Sequence, residues 1–212
     1  MTTTPPLKNI SIICHGSRGD FQPYLAVAIE LQSRGYNVRI LSCAIYRPFA
    51  DEFGIPFGTI WDLDFKKSMV EDEDVLEAFA TGDVKKAAGF VARLDVENAP
   101  RVCKAFLEEM KENRPDLLVA GIFSDYFEAY AGIVLGIPTF RVRLGAIVFN
   151  PVRAPFGFPT LPNGGHFGIL MQMMEGFYPS FAVFDDTMQS LGGMRVTDVL
   201  SKEVFLTEAE KT

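Results

Sequence analysis

Residues 9–43, NISIICHGSRGDFQPYLAVAIELQSRGYNVRILSC, constrain the fold more than any other part of this chain. Asn9 to Cys14 is a short, β-branched apolar run that stops at a glycine-bracketed polar loop, the pattern of a strand buried on both faces. From Phe21 to Arg34 the apolar spacing becomes helical, through Leu25, Ala28 and Ile29, and Gly35 stands where a helix C-terminus is closed. Val38 to Ser42 reads as a second strand. Strand, loop, helix and strand make one βαβ unit, whose two strands must run parallel because the helix carries the chain back to its starting end.

The same rhythm continues. Ile45 to Phe53 predicts a short helix closed by Gly54, and Pro56 to Ile60 a third strand. A charged, weakly patterned stretch from Asp62 to Arg93 follows. Ala99, Val102, Cys103, Phe106, Leu107 and Met110 then recur at helical spacing, which predicts one apolar stripe laid on a sheet. Pro115-Asp116 introduces a strand over 117–121, Tyr126 to Leu135 reads as a helix, and Gly136-Ile137-Pro138 precedes a strand from Thr139 to Arg143. The expected class is therefore α/β, a doubly wound parallel sheet covered on both faces. From Leu144 to Gly165 the composition shifts to Gly, Pro and Phe, and PVRAPFGFPTLPNGG is expected to be a structured loop. His166 to Phe177 and Phe181 to Leu191 are expected helices. The domain is expected to span 8–206, between a disordered tail over 1–7 and a frayed one over 207–212.

Composition narrows the partners. The 212 residues are 48% hydrophobic and 22% charged, with a formal net charge of -7. Nucleic acid is excluded as an expected partner, because affinity for a phosphate backbone comes from clustered Lys and Arg. Cys14, Cys43 and Cys103 are odd in number and far apart, so a reducing compartment and a cytoplasmic location are expected. The start, MTTTPPLKN, lacks a basic region followed by an apolar stretch. The best candidate for a membrane span, 131–152, is cut by Arg141 and Arg143, which leaves peripheral contact as the expected limit of membrane association.

In a doubly wound sheet, ligands gather beyond the carboxyl ends of the strands, where the HGSRGD loop falls. Gly16 and Gly19 let backbone N–H groups approach a ligand, and the following helix N-terminus favours an electron-rich group. The spacing is not GxGxxG, so the common dinucleotide fingerprint is missing.

The string GSRGDFQPYLAVAIELQSRGYNVRI resembles the opening of the UDP-sugar-dependent glycosyltransferases that include sterol glucosyltransferases and glycopeptide-antibiotic glycosyltransferases, whose first strand leads into GSRGD-x-(Q/E)-P. PFADEFGIPFGTI and RPDLLVAGIFSDYFEAYAGIVLGIPTFRV resemble later blocks of the same family, so the likeness runs from about Lys8 to Arg143. It implies the N-terminal half of a GT-B fold, a Rossmann-like domain that binds the acceptor and faces a second domain holding the nucleotide sugar. That C-terminal domain, with its glycine-rich diphosphate loop, is expected to be absent from this chain. The implied reaction transfers a hexose, with inversion, from a UDP-sugar such as UDP-glucose to a hydroxyl of a sterol, lipid or other apolar acceptor. No metal or further cofactor is implied. On the family motif Asp20 falls on the aspartate that helps deprotonate the acceptor hydroxyl, while Gly16, Ser17, Arg18 and Gly19 fall on the loop near the sugar-nucleotide phosphates.

The residues themselves leave alternatives open. Transfer needs a base for the acceptor proton and a positive environment for the departing diphosphate. A carboxylate at a helix N-terminus is favoured as the anion and is correspondingly a weaker base, whereas an imidazole with its ordinary value of about 6.5 suits neutral pH. His15 is thus the second candidate base after Asp20, and Asp20 before Phe21 also reads as a plain helix N-cap. Ser124, Asp125 and Tyr126, just past a strand end, and Phe149 are candidates for the acceptor pocket. The methionines at 171, 173 and 174 with Phe156, Phe158 and Phe167 suit either an apolar pocket wall or core. His166 reads as structural, and Asp62-Leu63-Asp64 as part of a solvated acidic run rather than a metal site. Two leading function classes are half of an enzyme, either a fragment of a longer product or a subunit completed by a second domain in trans, and a non-catalytic module that binds a lipid or other acceptor. A third reading, an unrelated nucleotide-binding Rossmann protein, rests on fold alone. Either of the first two would expose the face turned to a second domain, so self-association or a partner chain is expected there.

Overall fold

The structure is a computed structural model that describes residues 7–62, 71–81, 83–121, 123–142, 144 and 181–199. The first strand, β1 (Asn9–Ile13), leads through the HGSRGD loop into α1 (Arg18–Ser33) and β2 (Asn37–Cys43). A 3₁₀ turn (Ala44–Tyr46) and α2 (Arg47–Glu52) connect to β3 (Phe57–Trp61). Two helices, α3 (Glu73–Thr81) and α4 (Val84–Glu112), then cross to β4 (Leu117–Ala120). From there α5 (Asp125–Ala129), continued by a π-helical turn (Tyr130–Val134), leads to β5 (Thr139–Arg141). A further helix, α6, covers 181–190, and a single helical turn follows at 196–199.

The five strands are all parallel and ordered β3-β2-β1-β4-β5. This is the expected doubly wound arrangement, with β1 at its centre and the direction of winding reversing between β1 and β4. Helices lie on both faces. Arg39 of β2 reaches Glu109 of α4, Nη2 to Oε2 at 3.2 Å, and a Cβ on Gly58 of β3 would lie 2.8 Å from the same oxygen. One residue earlier, Phe57 turns to the opposite face and meets Phe21 of α1 edge-on at 6.5 Å. Strand side chains alternate, so β1 and β2 divide their apolar residues between these two layers. Ile12, Ile13, Ile40 and Leu41 are fully buried.

A bulge modifies that alternation at one place. Ser42 pairs with Thr59 but Cys43 pairs with Trp61, so β3 carries one extra residue. The extra residue inverts the parity and turns Trp61 onto the α4 face, a known use of bulges at sheet ends.

The long helix α4 begins earlier than its apolar stripe. Asp83 caps it, its carboxylate accepting from the Lys86 N–H at 2.9 Å, and only the later residues Ala99, Val102, Cys103, Phe106 and Met110 lie buried on the stripe predicted. Its first half packs on α3 instead of the sheet, so fewer positions are apolar and the weak pattern before Arg93 follows. The acidic run is tied down there: Asp72 binds Arg93 at 2.5 Å, and Lys86 binds Glu77 at 2.7 Å and Asp74 at 3.2 Å. The predicted helix at His166 to Phe177, the loop 145–165, Leu63-Asp64 and both tails lie outside the described residues.

One side chain of α1 joins two of the loops above the sheet. Tyr24 of α1 is fully buried, lies under Gly121 at the end of β4, and donates its hydroxyl to the carbonyl of Val142 after β5 at 2.9 Å. A Cβ on Gly121 would sit 2.9 Å from the Tyr24 ring and 3.0 Å from its hydroxyl. Gly121→Ala is therefore expected to destabilise the fold by roughly 1–3 kcal/mol through overpacking. Urea unfolding checks this, and a Gly121→Ala, Tyr24→Phe double variant should recover little, since the ring carbons clash as well.

Candidate active site

The HGSRGD loop leaves β1 at the centre of the sheet. Gly16 is buried with φ of +123°, a conformation that side-chain-bearing residues rarely adopt. Its carbonyl accepts a hydrogen bond from the Tyr46 hydroxyl at 2.9 Å, and Tyr46 stacks on Phe21 with centroids 4.6 Å apart. That pins the turn to the second strand's exit. A Cβ at Gly16 would lie 2.6 Å from Oδ2 of Asp20, so the glycine is what allows the carboxylate to fold back over the turn.

Asp20 is not the N-cap. Ser17 takes that position with extended φ and ψ of -78° and 175°, the helix starts at Arg18, and Asp20 is its third residue. Oδ2 of Asp20 accepts from the Ser17 backbone N–H and from the Ser17 hydroxyl, both at 2.8 Å. This is a capping-box arrangement in which the serine hydroxyl turns onto the carboxylate. Among the described residues both bonds end on Oδ2, which leaves Oδ1 available to accept a further proton donor. Ser17, Arg18 and Gly19 are exposed, and the Arg18 guanidinium lies over the Phe49 ring at 5.0 Å. The five residues from Gly16 to Asp20 thus share one turn at the carboxyl end of β1, as their sequence spacing implied.

His15 goes elsewhere. It continues the alternation of Ser11 and Ile13 onto the α4 face, where its ring stacks on Trp61 with centroids 4.3 Å apart and planes 3° from parallel. It is 3% exposed. Burial pulls its pKa down to about 3, so the imidazole is neutral and a poor base at neutral pH. Trp61 in turn meets Phe127 of α5 edge-on at 5.6 Å, and its indole Nε1 has no hydrogen-bond partner among the described residues.

The second strand end of the crevice is that of β4. The Gly121 N–H bonds to the Ile13 carbonyl at 2.8 Å, so the loop after β4 lies beside the loop after β1. Phe123 holds a positive φ of 63°, which is costly for an aromatic residue and belongs to a turn fixed by its surroundings. Ser124 follows, fully buried, its hydroxyl without a hydrogen-bond partner among the described residues. Asp125 is about half exposed, 3.6 Å from the Arg141 guanidinium, which also pairs with the buried Glu128. Tyr126 is a packing residue, 5% exposed against Phe127, Phe181 and Phe184, and its hydroxyl donates to Oδ1 of Asp185 at 3.0 Å. Burial, helped by the Asp185 charge, pushes its phenol pKa up, so it stays a proton donor. Phe149 lies outside the described residues.

The three cysteines are free and buried, and burial pushes Cys14 and Cys103 up to about 12, which makes both thiols unreactive. No group of three or more metal-ligating side chains comes together among the described residues, and no described helix is long and apolar enough to cross a membrane. Sequence reasoning overlooked Trp61, Tyr24 and Asp185; the only available signal was that Trp61 is the single tryptophan, at the end of a predicted strand.

Residues 10–140, the sheet and both loops of the crevice, match the glycosyltransferase family 28 N-terminal domain. The chain belongs to this family. Its relatives include the sterol 3-beta-glucosyltransferase of Candida albicans, 28% identical over 174 residues that make up 78% of this chain and 10% of that protein. The enzyme of the same name from Saccharomyces cerevisiae is 27% identical over 180 residues, 82% of this chain and 14% of that protein. The chain thus spans only a small part of the length of the curated relatives it matches. Among solved structures, the glycosyltransferase SsfS6 of Streptomyces sp. SF2575, complexed with thymidine diphosphate, aligns with a TM-score of 0.55 at 15% identity, covering 89% of this chain and 46% of that one. The calicheamicin glycosyltransferase gives a TM-score of 0.53 at 15% identity, covering 89% and 42%. The fold is therefore α/β and Rossmann-like, and it is shared with a little under half of each of these glycosyltransferase structures.

Two outcomes follow from the loop. Gly16→Ala is expected to cost roughly 1–3 kcal/mol and to displace Asp20, seen as a lowered thermal midpoint and altered Asp20 side-chain NMR shifts. For His15 the sign is set by its lowered pKa: between about 6.5 and 3 the unfolded chain holds a proton that the folded chain lacks. Stability should therefore fall as pH drops through that window, with a slope of up to roughly 1.4 kcal/mol per pH unit. Urea midpoints measured from pH 6.5 to 5, where few carboxylates titrate, should show it. His15→Phe, which keeps a ring against Trp61, should flatten the slope; an unchanged slope refutes the assignment.

Proposed function

We propose that this chain is the acceptor-binding half of a glycosyltransferase that moves a hexose from a UDP-sugar to the hydroxyl of a sterol or similar apolar acceptor. The observation that carries the reading is Asp20, a carboxylate anchored through one oxygen at the carboxyl end of the central strand with the other oxygen available. The names of the relatives, sterol 3-beta-glucosyltransferases that align with most of this chain, support the choice of acceptor.

On this reading Asp20 Oδ1 accepts the proton of the acceptor hydroxyl as its oxygen attacks the sugar's anomeric carbon. The Ser17 N–H and hydroxyl hold the carboxylate in place so that little reorganisation accompanies the step. Arg18, Gly19 and the start of α1 provide the positive end of a helix toward the departing diphosphate. His15 supports the loop from the core and takes no proton at neutral pH. Ser124 and Asp125 line the acceptor side, with Phe149 proposed beside them. Turnover needs a nucleotide-sugar half, whether on the same polypeptide or on a second chain. A cytoplasmic location with peripheral contact at a membrane fits an acceptor that partitions into lipid.

The test is sterol glucoside formation from UDP-glucose by the chain joined to, or mixed with, a nucleotide-binding half of the family. Asp20→Asn keeps the shape and one accepting oxygen but removes the base, and should lower kcat by about 10²–10⁴-fold while sterol binding changes little. Wild-type turnover in the Asn variant would remove Asp20 from the mechanism. Sterol binding with no turnover under any pairing would favour the non-catalytic module instead.

A further inference from the structure

Asp185 lies on α6 and is 3% exposed, a burial that carboxylates reach only when well bonded. It accepts the Tyr126 hydroxyl at 3.0 Å and the Val196 N–H at 2.7 Å on Oδ1. Its Oδ2 accepts the Thr197 hydroxyl at 2.6 Å and the Thr197 N–H at 3.3 Å. One group of these bonds ties the chain around 196–197 to α6. The Tyr126 bond is different, because it spans 59 residues and ends on the first turn of α5.

That turn directly follows the strained loop after β4. Tyr126 stands two residues beyond Ser124 and one beyond Asp125, and its neighbour Phe127 is the residue that meets Trp61. With the phenol fixed from α6, the positions of α5 against Trp61 and of Ser124 just after β4 are set together. We infer that Asp185 is a positioning residue for the acceptor side of the site, holding the start of α5 through the Tyr126 hydroxyl so that Ser124 and Asp125 stand at the carboxyl ends of β1 and β4. The acceptor role of that loop rests on the function proposed above; the geometric role of Asp185 does not.

Trp61 is the only tryptophan, and its edge contact with Phe127 makes its emission a reporter of α5. Tyr126→Phe removes the hydroxyl and leaves the ring packed and the other three Asp185 bonds intact. Thr197→Val removes a different bond to the same carboxylate and serves as the control for a merely structural role. Tyr126→Phe should shift the Trp61 emission maximum and weaken binding of ergosterol, presented in detergent micelles to the whole chain, by roughly five- to ten-fold, a part of what one hydrogen bond to a charged group is worth, since the loop only repositions. Thr197→Val should lower the thermal midpoint by a similar amount with wild-type emission and sterol affinity. Emission and affinity that are unchanged in Tyr126→Phe, or that move in step with the thermal midpoint in both variants, overturn the inference. If the wild-type chain binds no ergosterol, the proposed acceptor fails, and the emission arm alone still decides whether Asp185 positions α5.

Discussion

The rest of the structure depends on the pairing of β1 with a parallel neighbour on each side. A strand so placed has no edge, and both its faces are covered by helices, so its side chains are nearly all buried. The chain also leaves it and its neighbour β4 in opposite directions, toward β2 on one side and β5 on the other. The two exit loops head to opposite sides from there, the kind of place at which a doubly wound sheet receives its ligand. Tyr24 then ties α1 to both loops, lying beneath Gly121 after β4 and bonding the Val142 carbonyl after β5. Polar chemistry at the site needs such a base, because groups held by core packing lose little freedom when a ligand arrives.

Asp20 and His15 show how that geometry sorts two residues that the sequence places five apart. Side-chain alternation along β1 sends His15 inward to the α4 layer, and Gly16 then turns the backbone through a positive φ so that the following residues emerge at the surface. The imidazole is desolvated and its charged form is suppressed. The carboxylate meets two donors at a partly open helix start. On free-solution values the histidine is the better base at neutral pH, and burial removes that advantage.

Much of this was legible in the sequence. The β-branched run before HGSRGD, the helical spacing after it, and Gly35, Gly54 and Gly136 at element ends lead to the observed strands and helices within a few residues. Those glycines all have positive φ, which is why they mark boundaries so clearly. The N-cap was displaced by three residues because Ser17 and Asp20 are both good capping residues, and only the backbone decides which one is half in the helix. Trp61 could not be placed, since the inserted residue in β3 reverses its face and leaves no mark in composition. Tyr126 read as a pocket residue because it follows a strand end; its hydroxyl partner lies 59 residues away, beyond the reach of any local pattern.

The two walls of the crevice are held by different means. The wall after β1 is local: Ser17, Gly16 and Asp20 hold one another within a single turn, and Tyr46 secures that turn from the end of β2. The wall after β4 is fixed from a distance, by a buried carboxylate on a helix some sixty residues later. A local wall resists change, because each of its members constrains the next and any substitution moves the proposed base. The distant wall can be re-aimed by substitutions in α6 or in 196–199 that leave the base untouched. On the proposed reading, such a division lets the acceptor vary among relatives while the proton-transfer geometry stays fixed, because α5 meets the first wall through Phe127 on Trp61 and Trp61 on His15, contacts on the α4 face rather than at the Asp20 carboxylate.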